Sequence, residues 1–130
     1  MSIGPYNGWT GAQRLATIPV QRAALESGEL HRPRRCSICR IERDHPSHPQ
    51  IALHDEDYGH PLRAYPICGR CHGLVHKRFS LPDAWLRLVS QYSDDGSWFE
   101  KLSLDPESRH RPFAETYPDG LPLPDPADFD

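Results

Sequence analysis

Apolar residues in this chain come in short groups, each closed off by proline or glycine. Residues 1–10 read as irregular, with Gly4, Pro5, Asn7 and Gly8 as breakers and Trp9 as a side chain to dock them. Thr10 suits the cap of a short helix over Ala12–Thr17. Pro19 suits the first turn of a second helix, running to Ser27 and ended by Gly28. Val20, Ala23, Ala24 and Leu25 form its expected buried side. Ile51-Ala52-Leu53 reads as a strand ending at His54, Gly59-His60-Pro61 as a turn, and Leu62 to Ile67 as the returning strand. A helix is expected from Arg70 to Phe79. Another is expected from Pro82 to Tyr92, with Trp85, Leu86, Leu88 and Val89 inward, and Asp94-Asp95-Gly96 ends it. Trp98, Phe99, Leu102 and Leu104 should pack back. From Asp105 on, six of 26 residues are proline, which predicts an extended or disordered tail.

Composition sharpens this picture. Apolar residues are 37% of the 130, and 23 are proline or glycine. So lean a core needs a staple of another kind. No run approaches a membrane span, and Met1-Ser2-Ile3-Gly4-Pro5 lacks the basic and apolar parts of a secretory signal, so a cytoplasmic protein with no membrane partner is expected. The net charge of −3 is unevenly spread. Residues 31–90 carry ten Lys or Arg against six acids, with seven of the eight histidines, whereas residues 91–130 carry three against ten. The middle suits a polyanion or is an ordinary basic face; the tail would repel a polyanion.

All four cysteines fall in two pairs, Cys36-Ser-Ile-Cys39 and Cys68-Gly-Arg-Cys71, with 28 residues between them. Each pair can close a tight knuckle, and four thiolates suit one tetrahedral structural Zn2+. Two disulfides or free thiols are the alternatives, disfavoured by the lack of an export signal. Zinc would supply the missing staple, since its binding energy is folding energy.

His72 follows Cys71, and His76 lies one helical turn further on, so the two share a face. With His54 at the end of the preceding strand they could hold a second ion with open positions. The alternative is that a histidine beside a zinc cysteine only hydrogen-bonds around the metal.

These spaced elements, Cys36-x2-Cys39, His54-Asp55-Glu56-Asp57-Tyr58-Gly59-His60-Pro61-Leu62 and Cys68-x2-Cys71-His72-x3-His76, resemble the zinc-stapled HNH, or ββα-metal, endonuclease-like family. They are most similar to small phage-type proteins with the pattern HHEDYxxPL…CxxCHxxxH. The resemblance covers roughly residues 14–79. With the helices and tail read above, the chain divides into a helical lead (1–30), a zinc module (31–80), a helix and packing segment (81–104) and a Pro-rich acidic tail (105–130), a small α+β domain with flanking helices and an extended acidic C-terminal tail. The resemblance implies that its zinc module is a treble clef of knuckle, β-hairpin and helix. It also implies a divalent ion (Mg2+, Mn2+, Ni2+ or Zn2+) at a DNA phosphodiester, with His54 in a metal-ligand position, Asp55 in the general-base position and His72 and His76 as the paired helix histidines. A carboxylate at the base position is weaker than an imidazole. Asp55 could instead ligate, leaving His54 as base. The family's middle asparagine has no counterpart beside the motif, because the only Asn is Asn7; His60 and Arg63 stand nearest.

Three functions follow as expectations. The first is a nucleic-acid-binding module with weak or no catalysis, contacting phosphates through Arg34, Arg35, Arg40, Arg70, Lys77 and Arg78, with Arg32 and Arg43 nearby. The second is a metal-dependent DNA endonuclease using His54, Asp55 and His76. The third is a protein-interaction adaptor working through residues 93–130, with Trp98, Phe99, Phe113 and Tyr117 as anchors.

Overall fold

A computed structural model describes residues 3–130; Met1 and Ser2, the first residues of the stretch expected not to be a secretory signal, lie outside the described residues. Tyr6 and Trp9 exchange backbone hydrogen bonds around Asn7 and Gly8, both at positive φ, which is the two-residue turn that Asn-Gly favours. Helix α1 (Gly11–Leu15) starts on a capping box: Thr10 accepts from the Gln13 amide while the Gln13 side chain accepts from Thr10 N–H. Helix α2 (Thr17–Ser27) begins two residues before Pro19, which occupies the first turn, and ends on Gly28 at φ 82°.

The inward side of α2 differs from the expected one. Thr17, Gln21 and Ala24 are buried, whereas Val20 and Leu25 are exposed. The reason is what the helix covers. Gln21 reaches Asp55 and the Pro61 carbonyl, so polar groups lead inward.

Strands β1 (Ile51–His54) and β2 (Tyr65–Cys68) form a two-stranded antiparallel ribbon, in which Ile51 pairs with Cys68 and His54 with Tyr65. The returning strand is shorter than expected because Pro61–Arg63 make a 3-10 turn. Helix α3 (Gly69–Lys77) starts directly after β2, with Cys68 at its N-cap position, and helix α4 (Pro82–Tyr92) packs beside it. Trp85 and Leu88 are the buried face of α4, and Leu86 points to solvent. The fold is thus small and mixed α/β, and among the described residues no helix is long and apolar enough to cross a membrane.

The core draws on several of the expected segments. Ile38, Tyr65, Ile67, Val75, Trp85, Leu88, Trp98, Phe99, Leu102 and Tyr117 form one buried cluster with Cys36, Cys68 and Cys71; Leu104 stays outside it. Trp98 stacks flat on Tyr65, with centroids 4.0 Å apart, and its Nε1–H donates to Ser37 Oγ.

The last 26 residues, expected to be extended or disordered, are ordered against the body. They carry 3-10 turns at Pro106–His110 and Pro126–Asp128 and a short helix, α5 (Phe113–Thr116). Tyr117 is buried, Tyr65 Oη donates to the Pro122 carbonyl, and Phe129 pairs with Pro33. Proline here fixes an extended chain into a groove and lowers the entropy lost on docking. Replacing Tyr117 by Ala should cost about 3 kcal/mol, the scale for emptying a buried aromatic site. Ending the chain at Leu104 should cost more. Urea unfolding checks both; a truncated chain with the full-length midpoint would mean that the segment does not hold the body together.

Candidate functional site

The first knuckle is a tight turn. Cys36 N–H donates to the Ile41 carbonyl, Arg40 N–H to the Cys36 carbonyl, and Arg40 takes φ 66° to close it. Ile38 N–H points at Cys36 Sγ, 3.4 Å away. The second knuckle is the start of α3, whose N-terminal dipole faces the sulfurs. Ser37 ties the two together, since its N–H and its hydroxyl both donate to the Pro66 carbonyl. The four Sγ atoms of Cys36, Cys39, Cys68 and Cys71 all lie within 4.8 Å of one another, and the set could hold a metal ion such as zinc. Hydrogen bonding among the sulfurs pushes the Cys36 and Cys71 thiols up and draws Cys39 down to about 7 and Cys68 lower still, as expected for thiols too close to ionise together.

A second cluster sits at the other end of the ribbon. His54 ends β1, three residues from the Ile51–Cys68 pair, about 10 Å along a strand. His72 and His76 lie one turn apart on α3, their Nε2 atoms 3.0 Å from each other, and one nitrogen from each of the three rings falls within 4.8 Å of the others. Burial, then the neighbouring His54, pushes His72 down to about 4 and His76 to about 3. His76 lies at the exposed mouth, where water offsets part of that effect. Both are neutral at neutral pH, the form that ligates a metal.

Glu56 stands behind His54. Its Oε2 lies 2.5 Å from His54 Nε2 and 2.5 Å from Tyr6 Oη, and its Oε1 accepts from Asn7 Nδ2 at 3.0 Å. Burial alone would raise its carboxyl; the His54 and Tyr6 hydrogen bonds and the Arg78 charge hold it below the usual range. A carboxylate behind a ligating histidine is the usual support of a metal site, so the donor set fits an ion. Asn7, remote from the motif in sequence, therefore lies against it in space.

Asp55 is buried and lines the same cleft as the three histidines, with both carboxylate oxygens within 3.0 Å of Gln21 Nε2. Burial pushes it up to about 6, above the ordinary value behind its low expected basicity. A cation bound beside it would draw it back down. Arg14 also lines this cleft, its Nε donating to Tyr58 Oη at 3.0 Å.

The basic residues divide. Arg34, Arg40, Arg70 and Lys77 are exposed. Arg35 is half-buried and paired with Asp128 at 2.6 Å, and Arg43 is paired with Asp130. Arg78 is a correction: it is fully buried, donates to Tyr6 Oη, Ser103 O and Val75 O, and lies 4.3 Å from the Phe79 ring centroid, so phosphate cannot reach it. Of the proposed aromatic anchors, Trp98, Phe99 and Tyr117 are in the core and Phe113 is half-buried.

No family model matches the chain, and no curated protein or solved structure does either. The site residues that sequence reasoning passed over are Glu56, Tyr6, Gln21 and Arg14. Glu56 had a local signal, a carboxylate two residues after a strand-end histidine. Tyr6 and Asn7 had only the Asn-Gly turn. Gln21 and Arg14 had none, because their partners are more than thirty residues away or on a loop. Removing one sulfur should abolish the staple rather than tune it, because ion binding of this kind is worth on the order of 10 kcal/mol of folding. Cys68→Ser should lose both the tightly held ion and the folded circular dichroism of the chain, and a folded, metal-free variant would show that the sulfurs are dispensable.

Proposed function

We propose that residues 31–80 are a zinc-stapled treble-clef module of HNH-like type. It binds nucleic acid, holds a second divalent ion at His54, His72 and His76, and hydrolyses phosphodiesters weakly or not at all. One observation carries this reading: a four-sulfur cluster and a three-histidine cluster occupy opposite ends of one ribbon-and-helix unit. The sulfur set has the donors of a closed structural site. The histidine set has three donors and a cleft in front of it, the pattern of an open one.

A divalent ion at the histidines would supply positive charge where charge gathers on a phosphate oxygen. Arg14 adds a fixed cation on the cleft wall. Arg34, Arg40, Arg70 and Lys77 would meet backbone phosphates and set position rather than read sequence. Asp55 is the carboxylate placed to take a proton from water, but the Gln21 hydrogen bonds to its two oxygens hold it in place and lower its basicity. That restraint is why little hydrolysis is expected. The endonuclease reading differs only at this point, requiring Asp55 to turn from Gln21 toward a water. The adaptor reading has lost its anchors, since three of the four aromatics hold residues 93–130 to the body.

The test is bound metal by elemental analysis, with and without added Mn2+ or Ni2+, for the parent and His76→Ala, followed by binding and nicking of supercoiled DNA. Expected are one zinc per chain in both proteins, a second ion in the parent alone, and DNA binding that weakens steeply with salt. Any slow nicking should vanish in His76→Ala. A parent with one ion and no affinity for DNA or RNA at low salt would overturn the proposal.

A further inference from the structure

We infer that Glu56 is the positioning residue of the histidine cluster, holding His54 in the one tautomer and ring orientation that turns its free nitrogen toward His72 and His76. The inference rests on the reading that these three histidines hold an ion, and deepens it.

Both oxygens of Glu56 are occupied. Oε2 accepts from Tyr6 Oη and His54 Nε2, each at 2.5 Å, and Oε1 accepts from Asn7 Nδ2. Three of its roughly four lone-pair sites are used, and the set of donors that converge is His54, His72 and His76 without Glu56, so Glu56 stands behind the site rather than in it. A carboxylate has no proton to give, so the proton of the His54–Glu56 bond sits on Nε2. Nδ1 is then the nitrogen with a free lone pair. Rotating the ring would break the bond and leave the buried His54 N–H without this partner.

The surroundings argue against a merely structural carboxylate. The side chains of His54 and Glu56 are each 1% exposed, and burying a charge is costly enough that apolar residues of similar volume are often as stable. Yet Glu56 is gripped by the Tyr6–Asn7 turn, far away in sequence. Asn7 also donates to its backbone carbonyl at 2.8 Å, and Tyr6 is itself held by Arg78 Nη1 at 2.7 Å. Such a network fixes one geometry. A fixed geometry is what a three-histidine site needs, and a hydrophobic core does not.

The test uses the full chain carrying one zinc, titrated with Co2+ and followed by the visible absorption of the metal. Zinc retained at the cysteines keeps thiolate–cobalt charge-transfer bands out of the spectrum. Glu56→Gln should weaken Co2+ binding roughly tenfold to a hundredfold, with zinc content unchanged. Tyr6→Phe, which removes one donor and keeps the carboxylate, should weaken it less. Long-range 1H–15N spectra of the parent should place the His54 proton on Nε2, and the loss of Co2+ affinity at unchanged zinc content is the readout that a merely structural role would not move. Equal Co2+ affinity in the parent and Glu56→Gln, or a proton on Nδ1, would overturn the inference and leave the ion site standing. No Co2+ uptake by the parent would overturn both. Should Glu56→Gln fail to fold, Tyr6→Phe and the parent's tautomer decide: parent-like Co2+ affinity in Tyr6→Phe would count against the inference.

Discussion

Sulfur atoms held within 4.8 Å of one another repel as thiolates unless a cation lies among them, and the fold is organised around that constraint. The two knuckles come from parts of the chain separated by the whole ribbon. Bringing them together sets the register of β1 on β2, the start of α3 and the direction in which α3 leaves. Ser37 extends the junction: it bonds the Pro66 carbonyl and receives the Trp98 indole N–H, so the first knuckle, the second strand and the C-terminal packing segment share one side chain. With 37% apolar residues, the chain has little else to hold these parts in one arrangement.

The far end of the ribbon obeys a different rule. Its interior is polar, built from His54, Asp55, Glu56, Tyr6, Asn7 and Arg78, all buried. Asn7 Oδ1 and one Arg78 terminal nitrogen have no partner among the described residues. Buried polar groups left short of partners weaken a fold, so this end costs stability that the cysteine end must offset.

Much of the architecture was legible because it is local. The knuckles follow from CxxC spacing, β1 from a four-residue run, α3 and α4 from helical periodicity, and the meeting of His54, His72 and His76 from strand-end and helix-turn arithmetic. What was not legible depended on what an element faces. Apolar periodicity misjudged α2, because that helix covers the polar site and turns Thr17 and Gln21 inward. Arg78 follows Lys77 and reads as part of a basic run. The helix ends there, and the guanidinium folds back under Tyr6. The tail reads by composition as extended or disordered, yet its few apolar residues and acids have partners beside the first knuckle and on β2.

The Asn-Gly turn that presents Tyr6 and Asn7 to Glu56 is itself pinned from the opposite end of the sequence. Gly8 N–H donates to the Arg109 carbonyl, and a side chain at Gly8 would come within 2.8 Å of Pro112 Cα. The support of the histidine cluster is thus a contact of very long sequence separation, the sort that closes late because its loop entropy is lost before any reward. During synthesis the cysteine pairs can meet once Cys71 has emerged, whereas the strap behind His54 cannot be locked until Pro112 follows. The cysteine cluster and the histidine cluster therefore mature at different times, and a nascent chain would pass through a stage in which the cysteines have met and the histidines are assembled but not yet held.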